Sequence, residues 1–430
     1  MSVISVLETA VSVGLRRTPR LRAQILNTYQ RIGYGTSLLK RRPRVDSTLD
    51  IRPLTHGPSH HYFGYYDKSP WNADGSLLLA HELESTDRAP AMGVMAKIGI
   101  IDAVTGKFSP VSETATWNLQ QGSMLQWLPP TFDNTLIHNA FENGRYVSVL
   151  MSSNGDRLAT FDQPIYCVAP DGKSALTLDF SRLHRLRPGY GYINLPDATK
   201  NDIGPKFSGI SQLDLVSGQS QLLVSIDFLK NLIGSTSPET DHWVNHLEFN
   251  PSGDRFMFVL RWTDGARRLS RLIVCNADGG QPIIVADDGI VSHSAWKSDS
   301  EILSWSGQAD TGIHYHVFDI NSGESTTFAP SQLLRDGHPS YSPDGGYVLT
   351  DTYPDRSRMQ SLFLADSSGS ELRKLGAFRS PLKYRGEIRC DLHPRWRRDG
   401  LKVCIDSTHS GTRQMYEIDI EPLLGDLTRN

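Results

Sequence analysis

The sequence has few of the features that mark several protein classes. Its 430 residues include four cysteines, none in a Cys-x-x-Cys pair, so neither a disulfide framework nor a cysteine-based metal site is indicated. No run of 18 apolar residues occurs, so no membrane-spanning helix is predicted. The net charge of −3 gives no case for nucleic-acid binding. Gly-x-Ser-x-Gly, phosphate-loop and Gly-x-Gly-x-x-Gly motifs are missing, which argues against the corresponding hydrolases and nucleotide-binding proteins.

Residues 1–50 differ from the rest of the chain. They hold nine Lys or Arg and three acidic residues, so this segment carries about +6 and the remainder about −9. Its apolar residues recur with helical spacing, but no positive charge precedes them, unlike in a secretory signal. The segment predicts a basic amphipathic extension that either contacts an anionic membrane or a partner, or packs on the body as a solvated helix. Without a credible signal we expect a cytoplasmic or inner-membrane-associated protein.

From residue 51 onward the pattern changes to short alternating runs separated by Asp-Gly, Ser-Gly and Asn-Gly turns, which predicts an all-β body. Seven segments align on the turn, and several continue into a third and fourth strand. Four short antiparallel strands per unit are typical of a propeller blade. The sequence therefore predicts a seven-bladed β-propeller over 51–430, with an insertion around 180–240. The aligned segments are PWNADGSLLLAHE, QWLPPTFDNTLIHNA, CVAPDGKSALTLDF, EFNPSGDRFMFVLRW, AWKSDSEILSWS, SYSPDGGYVLTDTYP and RWRRDGLKVCIDSTH.

These units resemble the WD40-like repeats of Tol-type proteins and oligopeptidases, which implies a fold but no function.

One position of the repeat is occupied by a residue that could bind a metal or transfer a proton. Counting back three residues from the aromatic before the turn gives a histidine in four consecutive units, whereas the first three units have Lys68, Met124 and Ile165. The innermost strand of a blade begins near this position, so the equivalent residues should converge at one mouth of the central channel. The four histidines are His246, His293, His338 and His393.

Four convergent imidazoles are a suitable ligand set for a divalent metal ion such as manganese, calcium or zinc. Several neutral imidazoles held together resist protonation unless a cation replaces the protons. The alternative is that tandem duplication copied a histidine with a purely structural role.

Four stretches resemble the oligogalacturonate lyase family, over roughly residues 241–420. Its members are seven-bladed propellers that split an acidic plant polysaccharide by β-elimination with a divalent cation. The resemblance implies His246 as the base and His293 as a metal ligand, with His338, His393 or both completing the site. The loop after the base departs from the family pattern and reads RWTDGARR, which begins with the candidate Arg261. The matching stretches are NHLEFNPSGDRFMFVLRW, RLIVCNADGG, SHSAWKSD and LHPRWRRDGLKVCIDS.

Three clusters in the first half of the chain should lie near the same rim, namely HHYFGYYDKSPW (60–71), NLQQGSMLQW (118–127) and FSRLHRLRPGYGY (180–192). Aromatic residues beside Arg and Lys suit a sugar ring that carries a carboxylate. They would equally close the first blade against the last and pack the insertion. The substrate-binding candidates are His60, His61, Tyr65, Lys68, Gln121 and Tyr190. The further catalytic candidates are Tyr66, Arg182, Arg187 and Arg261.

These residues together predict a metal-assisted lyase that acts on a uronate-containing glycan. The metal and an Arg would neutralise the carboxylate, and a neutral His would take the neighbouring ring proton. Water or a tyrosine, with Tyr65, Tyr66 and Tyr353 as candidates, would protonate the leaving oxygen. DTYPDRSR (351–358) and DSTHSGTR (406–413) would orient the histidines or serve as blade-closing turns.

Two other functions stay open. One is a non-catalytic propeller that binds a glycan or a protein during exopolysaccharide or envelope assembly, and the other is a glycan-transferring enzyme on the same scaffold. The expected partner is an acidic oligosaccharide or polysaccharide, bound by a monomer. Nucleic acid is not expected, and membrane contact is expected only through residues 1–50.

Overall fold

The computed structural model describes residues 28, 30–36, 43–234, 240–265 and 267–424. Over these residues the chain forms seven antiparallel sheets, arranged as the predicted blades. Blade 1 consists of His60–Tyr62, Leu77–Leu83, Ala96–Asp102 and Phe108–Thr114. Blade 2 consists of Gln126–Trp127, Thr135–Glu142, Arg145–Ser152 and Arg157–Phe161. Blade 3 consists of Cys167–Val168, Ser174–Leu178, Gly209–Asp214 and Ser220–Ser225.

The second half of the chain forms the other four blades. Blade 4 consists of His242–Phe249, Arg255–Asp264, Arg267–Asn276 and Ile283–Ala286. Blade 5 consists of Val291–Trp296, Glu301–Gln308, Gly312–Asp319 and Ser325–Phe328. Blade 6 consists of Ser340–Tyr341, Tyr347–Asp351, Met359–Asp366 and Leu372–Arg379. Blade 7 consists of Arg395–Trp396, Lys402–Ser407 and Gln414–Asp419, together with one strand from the N-terminal part of the chain.

The strand that completes blade 7 also closes the ring. Ile51–Pro53 pairs antiparallel with Gln414–Asp419, and Arg52 forms an ion pair of 2.9 Å with Glu417. A second short strand, Val45–Asp46, adds a fifth strand to blade 6. The first and last parts of the propeller therefore share two sheets, so the blades cannot separate without breaking these strand pairs.

In three of the units, the tryptophan before the turn joins neighbouring blades. The indole N–H of Trp127 donates to the carbonyl of Pro70 in blade 1, at 2.7 Å. Trp296 and Trp396 make the same kind of bond, at 3.3 Å, to the inner strands of blades 4 and 6. These three side chains bury apolar surface and satisfy their only donor, so the tryptophan has a packing role in these units.

Helices occupy the insertion and a blade connection. Helix α1, Phe180–Leu186, lies between the second and third strands of blade 3, and its N-cap Asp179 accepts a hydrogen bond from the Arg182 N–H. The stretch SIDFLKNLIG (225–234), within the predicted insertion, forms helix α2, Ile226–Leu232, which follows the last strand of blade 3. A 3-10 turn, Gly386–Ile388, and helix α3, Glu421–Leu424, come near the C-terminus.

Of the N-terminal extension, residues 30–36 are helical, and residues 1–27, 29 and 37–42 lie outside the described part of the chain. The proposed contact of that segment with a membrane is therefore a prediction that the structure does not address. None of the helices in the described residues combines the length and apolar character needed to cross a bilayer.

Candidate functional site

The four repeated histidines converge at one end of the central channel, named here the histidine mouth. The ring centroids of His246 and His293 are 5.6 Å apart. Those of His293 and His338 are 4.3 Å apart, and those of His338 and His393 are 4.4 Å apart. Inner strands of consecutive blades therefore bring the same repeat position together, as the spacing predicted.

The backbone at this position is unusual. His246 and His393 have φ values of 56° and 43°, in the left-handed region that non-glycine residues seldom adopt, and Met124 at the equivalent place in blade 2 has 54°. The strand register is also broken between Asn245 and Glu248 in blade 4. Such conformations cost about 1–3 kcal/mol and cluster at functional sites. The bulge turns the His246 side chain out of the strand's regular alternation.

Tyr65 lies among all four histidines. Its ring centroid is 5.4 Å from that of His246 and 4.9 Å from that of His393. The distances to His293 and His338 are 6.4 and 6.0 Å. Tyr65 is 4% exposed, and its hydroxyl has no hydrogen-bond partner among the described residues. The ring therefore occupies the channel axis.

Three residues of the histidine mouth, named here the ligand triad, could hold a metal ion. They are His338, Asp391 and His393, whose candidate ligand atoms all lie within 4.8 Å of one another. The Nδ1–H of His338 donates to Asp351 at 2.7 Å, and the Nδ1–H of His393 donates to the Gly64 carbonyl at 2.8 Å. These bonds fix the tautomer and leave each Nε2 with a free lone pair.

The remaining polar atoms of the ligand triad fit a divalent cation. Nε2 of His338, Nε2 of His393 and Oδ1 of Asp391 are buried and have no hydrogen-bond partner in the described structure. Buried polar atoms are nearly always partnered, and a cation bound by these three atoms would satisfy all of them. Burial would lower the pKa of His338, but Asp351 raises it above its ordinary value. A proton therefore competes with the cation, and metal affinity should rise with pH.

His293 stands beside the ligand triad but outside it. Its Nδ1 is 3.0 Å from Asp336 Oδ1, and Ser292 donates to the other carboxylate oxygen at 2.6 Å. The place that the repeat suggested for His293 among the ligands is taken here by Asp391. A ligand role for His293 thus stays a prediction, since its ring lies next to that of His338.

His246, Arg187 and Arg261 form the other side of the mouth. Arg261 donates to the Asn245 side chain at 3.0 Å and to the Val291 carbonyl at 3.0 Å. Burial lowers the pKa of His246 well below its usual value, and the charges of Arg261 and His293 lower it further. The imidazole of His246 is therefore neutral at pH 7, which is the form that accepts a proton.

Tyr190 is linked to the ligand triad through Arg389. Arg389 donates to Asp391 Oδ2 at 2.5 Å and to the Tyr190 hydroxyl at 2.6 Å. Arg187 lies over the Tyr190 ring, 4.8 Å from its centroid. Burial would raise the pKa of Tyr190, but Arg389 and then Arg187 lower it below its ordinary value overall. Of the predicted candidates, Arg187 and Tyr190 thus lie at the histidine mouth.

Two predicted candidates, Gln121 and Tyr66, form hydrogen bonds that help to position residues of the histidine mouth. Gln121 donates to the Tyr166 hydroxyl at 2.7 Å, and that hydroxyl accepts the backbone N–H of His246 at 3.0 Å. Tyr66 places its ring 5.3 Å from that of His338, but its hydroxyl donates to the Ser294 carbonyl at 2.9 Å. Because that proton is already committed to the backbone, the contact argues against the acid role predicted for Tyr66.

Three other candidates make contacts away from the histidine rings. Nδ1 of His60 lies 2.9 Å from the Thr86 hydroxyl and accepts the Arg413 N–H at 3.1 Å, and His61 lies between Gln414 and Glu82, at 3.2 Å from each, so both join blades 7 and 1. The Arg182 guanidinium donates to the His242 carbonyl and to residues 199–203, and pairs with Asp241 at 3.2 Å. These contacts account for the burial of all three side chains without a ligand.

Lys68 lies on the opposite side of the channel and pairs with Asp67 at 2.5 Å. Although it occupies the repeat position that carries histidine in later blades, its ammonium group is paired with Asp67 and also lies 5.5 Å from the centroid of the Tyr166 ring. Its role in binding substrate at the histidine mouth stays a prediction.

Sequence reasoning missed Asp391 and Arg389. The available signal was a second repeated feature, because an aspartate stands two residues before the histidine in both DGH (336–338) and DLH (391–393). In the structure the first aspartate bonds His293 of the preceding blade, and the second joins the ligand triad. Asp351, from DTYPDRSR, accepts a hydrogen bond from His338, which fits one of the two alternatives given for that segment.

Comparison with known proteins gives a fold but no sequence family. No family model matches the chain, and no curated protein matches it. An oligogalacturonate lyase from Vibrio parahaemolyticus is 12% identical with a TM-score of 0.61, over 87% of this chain and 95% of that one. An oligogalacturonate lyase in complex with manganese is 14% identical with a TM-score of 0.63, over 88% of this chain and 95% of that one. The chain shares its fold with these proteins.

Proposed function

We propose that this protein is a metal-assisted lyase that cleaves a uronate-containing oligosaccharide by β-elimination. The observation that carries the proposal is the set of three buried acceptors in the ligand triad, which lies beside a neutral histidine and three arginines. The shared fold with oligogalacturonate lyases, one of them in complex with manganese, supports the same chemistry.

Each group at the mouth has a role in this reaction. A divalent cation, when bound by His338, Asp391 and His393, would supply positive charge for the substrate carboxylate and so acidify the proton on the neighbouring ring carbon. Arg187 or Arg261 binds the same carboxylate through a planar guanidinium.

Proton transfer then involves His246 as the base and either water or Tyr65 as the acid. The neutral imidazole of His246 takes the ring proton, the electron pair forms the carbon–carbon double bond, and the carbon–oxygen bond to the leaving sugar breaks. The leaving oxygen receives a proton from water or from Tyr65, whose hydroxyl has no hydrogen-bond partner among the described residues.

The direct test is to incubate the purified protein with oligogalacturonates and manganese and to follow the ultraviolet absorbance of an unsaturated product. We expect His246→Ala to reduce turnover by about 10²–10⁴-fold, the range for loss of a general base. His314→Ala, which alters a histidine of blade 5 outside the cluster, serves as the matched control. Turnover that survives in His246→Ala would contradict the assignment of the base.

The metal site is tested separately by plasma mass spectrometry. We expect about one divalent ion per chain in the wild type, and loss of that ion in His338→Ala and in Asp391→Ala. His246→Ala should keep the metal, because His246 lies outside the ligand triad. A protein that holds no metal after supplementation with manganese, calcium or zinc would overturn the proposed reaction.

A further inference from the structure

The channel has a second opening, named here the far mouth, where the inner strands end. A cavity of about 510 Å³ lies there, lined by residues of blades 1, 2, 4, 5, 6 and 7. Its volume is within the ~300–1,000 Å³ of typical small-ligand sites. Tyr66 lines this cavity, and Tyr65, whose ring centroid is 4.7 Å from that of Tyr66, separates it from the histidine mouth. A ligand of the far mouth would therefore occupy a different space from the substrate of the histidine mouth.

Arg398 lines this cavity without a counter-charge among the described residues. Its Nε–H donates to the Trp71 carbonyl at 3.0 Å, and its guanidinium lies over the Phe132 ring, 3.5 Å from the centroid. Within the described part of the chain this guanidinium makes no further hydrogen bond and no ion pair. Burial lowers the pKa of Arg398 to about 10, and no acidic side chain offsets that effect. The group is thus a cation at pH 7 whose two terminal nitrogens are available to a ligand.

The other charged or acidic side chains of the lining balance one another. Lys68 is paired with Asp67 at 2.5 Å, and Lys297 is paired with Glu301 at 2.9 Å. Burial raises the pKa of Glu248 well above its usual value, and the charge of Asp67 raises it further, so its uncharged form is favoured. The two ion pairs sum to zero, so the unpaired guanidinium leaves the far mouth with one positive charge in excess. This excess favours a ligand with a single negative charge.

Acidic residues in the neighbouring turns do not remove this excess. One such residue lies in the turn of each of blades 1, 2, 6 and 7, and all four are exposed, so water and salt screen their charges. They are Asp74, Asp133, Asp344 and Asp399. The last of these is also paired with Arg397. None of them raises the pKa of Arg398, which a nearby carboxylate would do.

Much of the remaining cavity wall is apolar. Trp296 and Trp396 line it, and the indole N–H of each is already bonded to a backbone carbonyl. Three prolines, which have no N–H group, also contribute surface. They are Pro251, Pro339 and Pro343. The wall therefore suits the hydrocarbon part of a ligand, whereas Arg398 suits a negative group on it.

The shape and charge of Arg398 favour a carboxylate. A guanidinium presents a planar fork of N–H donors that matches the two oxygens of a carboxylate. One carboxylate also supplies a single negative charge, whereas a phosphate monoester carries about −1.5 to −2 at pH 7. We propose that the far mouth binds a small monocarboxylate with an apolar body, whose carboxylate pairs with Arg398 and whose body packs on Trp296 and Trp396. This binding does not depend on lyase activity at the histidine mouth.

The test compares ligands that differ in charge but hardly in shape. Saturation-transfer-difference NMR titrations of the wild-type protein are made with 3-phenylpropionate and octanoate, with the amide of each, and with phenyl phosphate. We expect at least one carboxylate to bind about 10–100-fold more tightly than its own amide, the range for hydrogen bonds to a charged group. Phenyl phosphate should bind less tightly than that carboxylate. Absence of binding by both carboxylates, equal affinity for carboxylate and amide, or tighter binding of the phosphate would each overturn the proposal.

Variants locate the bound carboxylate. Arg398→Gln should weaken its binding by about tenfold or more and leave the affinity for the amide nearly unchanged. Arg157→Gln, which makes the same charge change on the outer strand of blade 2, is the matched control and should bind as the wild type does. Arg187→Gln removes an arginine of the histidine mouth and should also keep the wild-type affinity for the carboxylate.

Two results with these variants would contradict the site. One is an affinity for the carboxylate that is unchanged in Arg398→Gln, and the other is a loss of that affinity in Arg187→Gln. If Arg398→Gln fails to fold, the comparison of carboxylate with amide in the wild type and in Arg187→Gln carries the test.

Discussion

The four histidines share one repeat position but differ in their surroundings. His338 and His393 have their Nδ1 atoms anchored by Asp351 and by a backbone carbonyl, which presents Nε2 to the channel. His293 is paired with Asp336, and His246 faces arginines. The chemistry available at each imidazole therefore depends on one neighbouring group, which the repeat itself does not determine.

Asp351 is the neighbour with the largest expected effect. It accepts from His338 Nδ1 at 2.7 Å and from the backbone N–H groups of His338 and His393 at 2.9 and 3.2 Å. Asp351→Asn should reduce manganese affinity by about 10–100-fold, as is usual for partners behind a ligating histidine. Isothermal titration calorimetry measures this. Asp344→Asn, in an exposed turn of blade 6, is the control, and equal affinities in the two variants would contradict the prediction.

Tyr190 should titrate unusually early. Because Arg389 and Arg187 lower its pKa below the ordinary value of about 10, one tyrosine should ionise before the others as pH rises. The absorbance of tyrosinate followed against pH reports this step. The step should vanish in Tyr190→Phe and persist in Tyr384→Phe, since burial raises the pKa of Tyr384. An early step retained in Tyr190→Phe would assign it to another group.

At the scale of strands and loops, a buried ion cluster joins blade 7 to blade 1. Arg395 and Arg413 are both fully buried and share the carboxylate of Asp406, which lies 2.9 and 3.7 Å from them. The Phe63 N–H, in the loop after the first strand of blade 1, also points to Asp406, at 3.5 Å. DSTHSGTR, considered as an orienting segment or a blade-closing turn, thus holds the ends of the ring together.

Removal of this carboxylate should be costly. Asp406→Asn leaves two buried guanidinium groups without a counter-charge, which should lower the free energy of unfolding by about 3–5 kcal/mol. Asp399→Asn breaks the exposed pair with Arg397 and should change it by no more than about 1 kcal/mol. Urea denaturation monitored by tryptophan fluorescence compares the two. Similar losses would show that the cluster contributes no more than a surface ion pair.

At the scale of the whole molecule, the repeat was predictable and its exceptions were not. Seven turn signals at similar spacing determine seven blades, because each unit must bury its faces against the next. The ring-closing strand Ile51–Pro53 is too short to show alternation, and its partner lies over 360 residues away in the chain. Asp391 was not predicted for a related reason. It reaches the site from a loop and does not occupy the repeat position that carries histidine.

Ring closure gives a test by truncation. A chain that starts at residue 45 keeps both N-terminal strands, whereas one that starts at residue 55 loses both of them and also Leu54, which is fully buried. We expect the first to melt close to the full chain in scanning calorimetry, and the second to melt markedly lower because blade 7 has an unpaired edge. Equal melting temperatures would show that the ring holds without these two strands.

The position of Tyr65 and Tyr66 limits what can pass through the central channel. Both rings are 4% exposed and lie in contact on the channel axis, so they divide the channel into two cavities that open at opposite ends. A long chain that enters one cavity is stopped by these two rings and must leave through the opening by which it entered. A polymer therefore cannot slide through the channel from one mouth to the other.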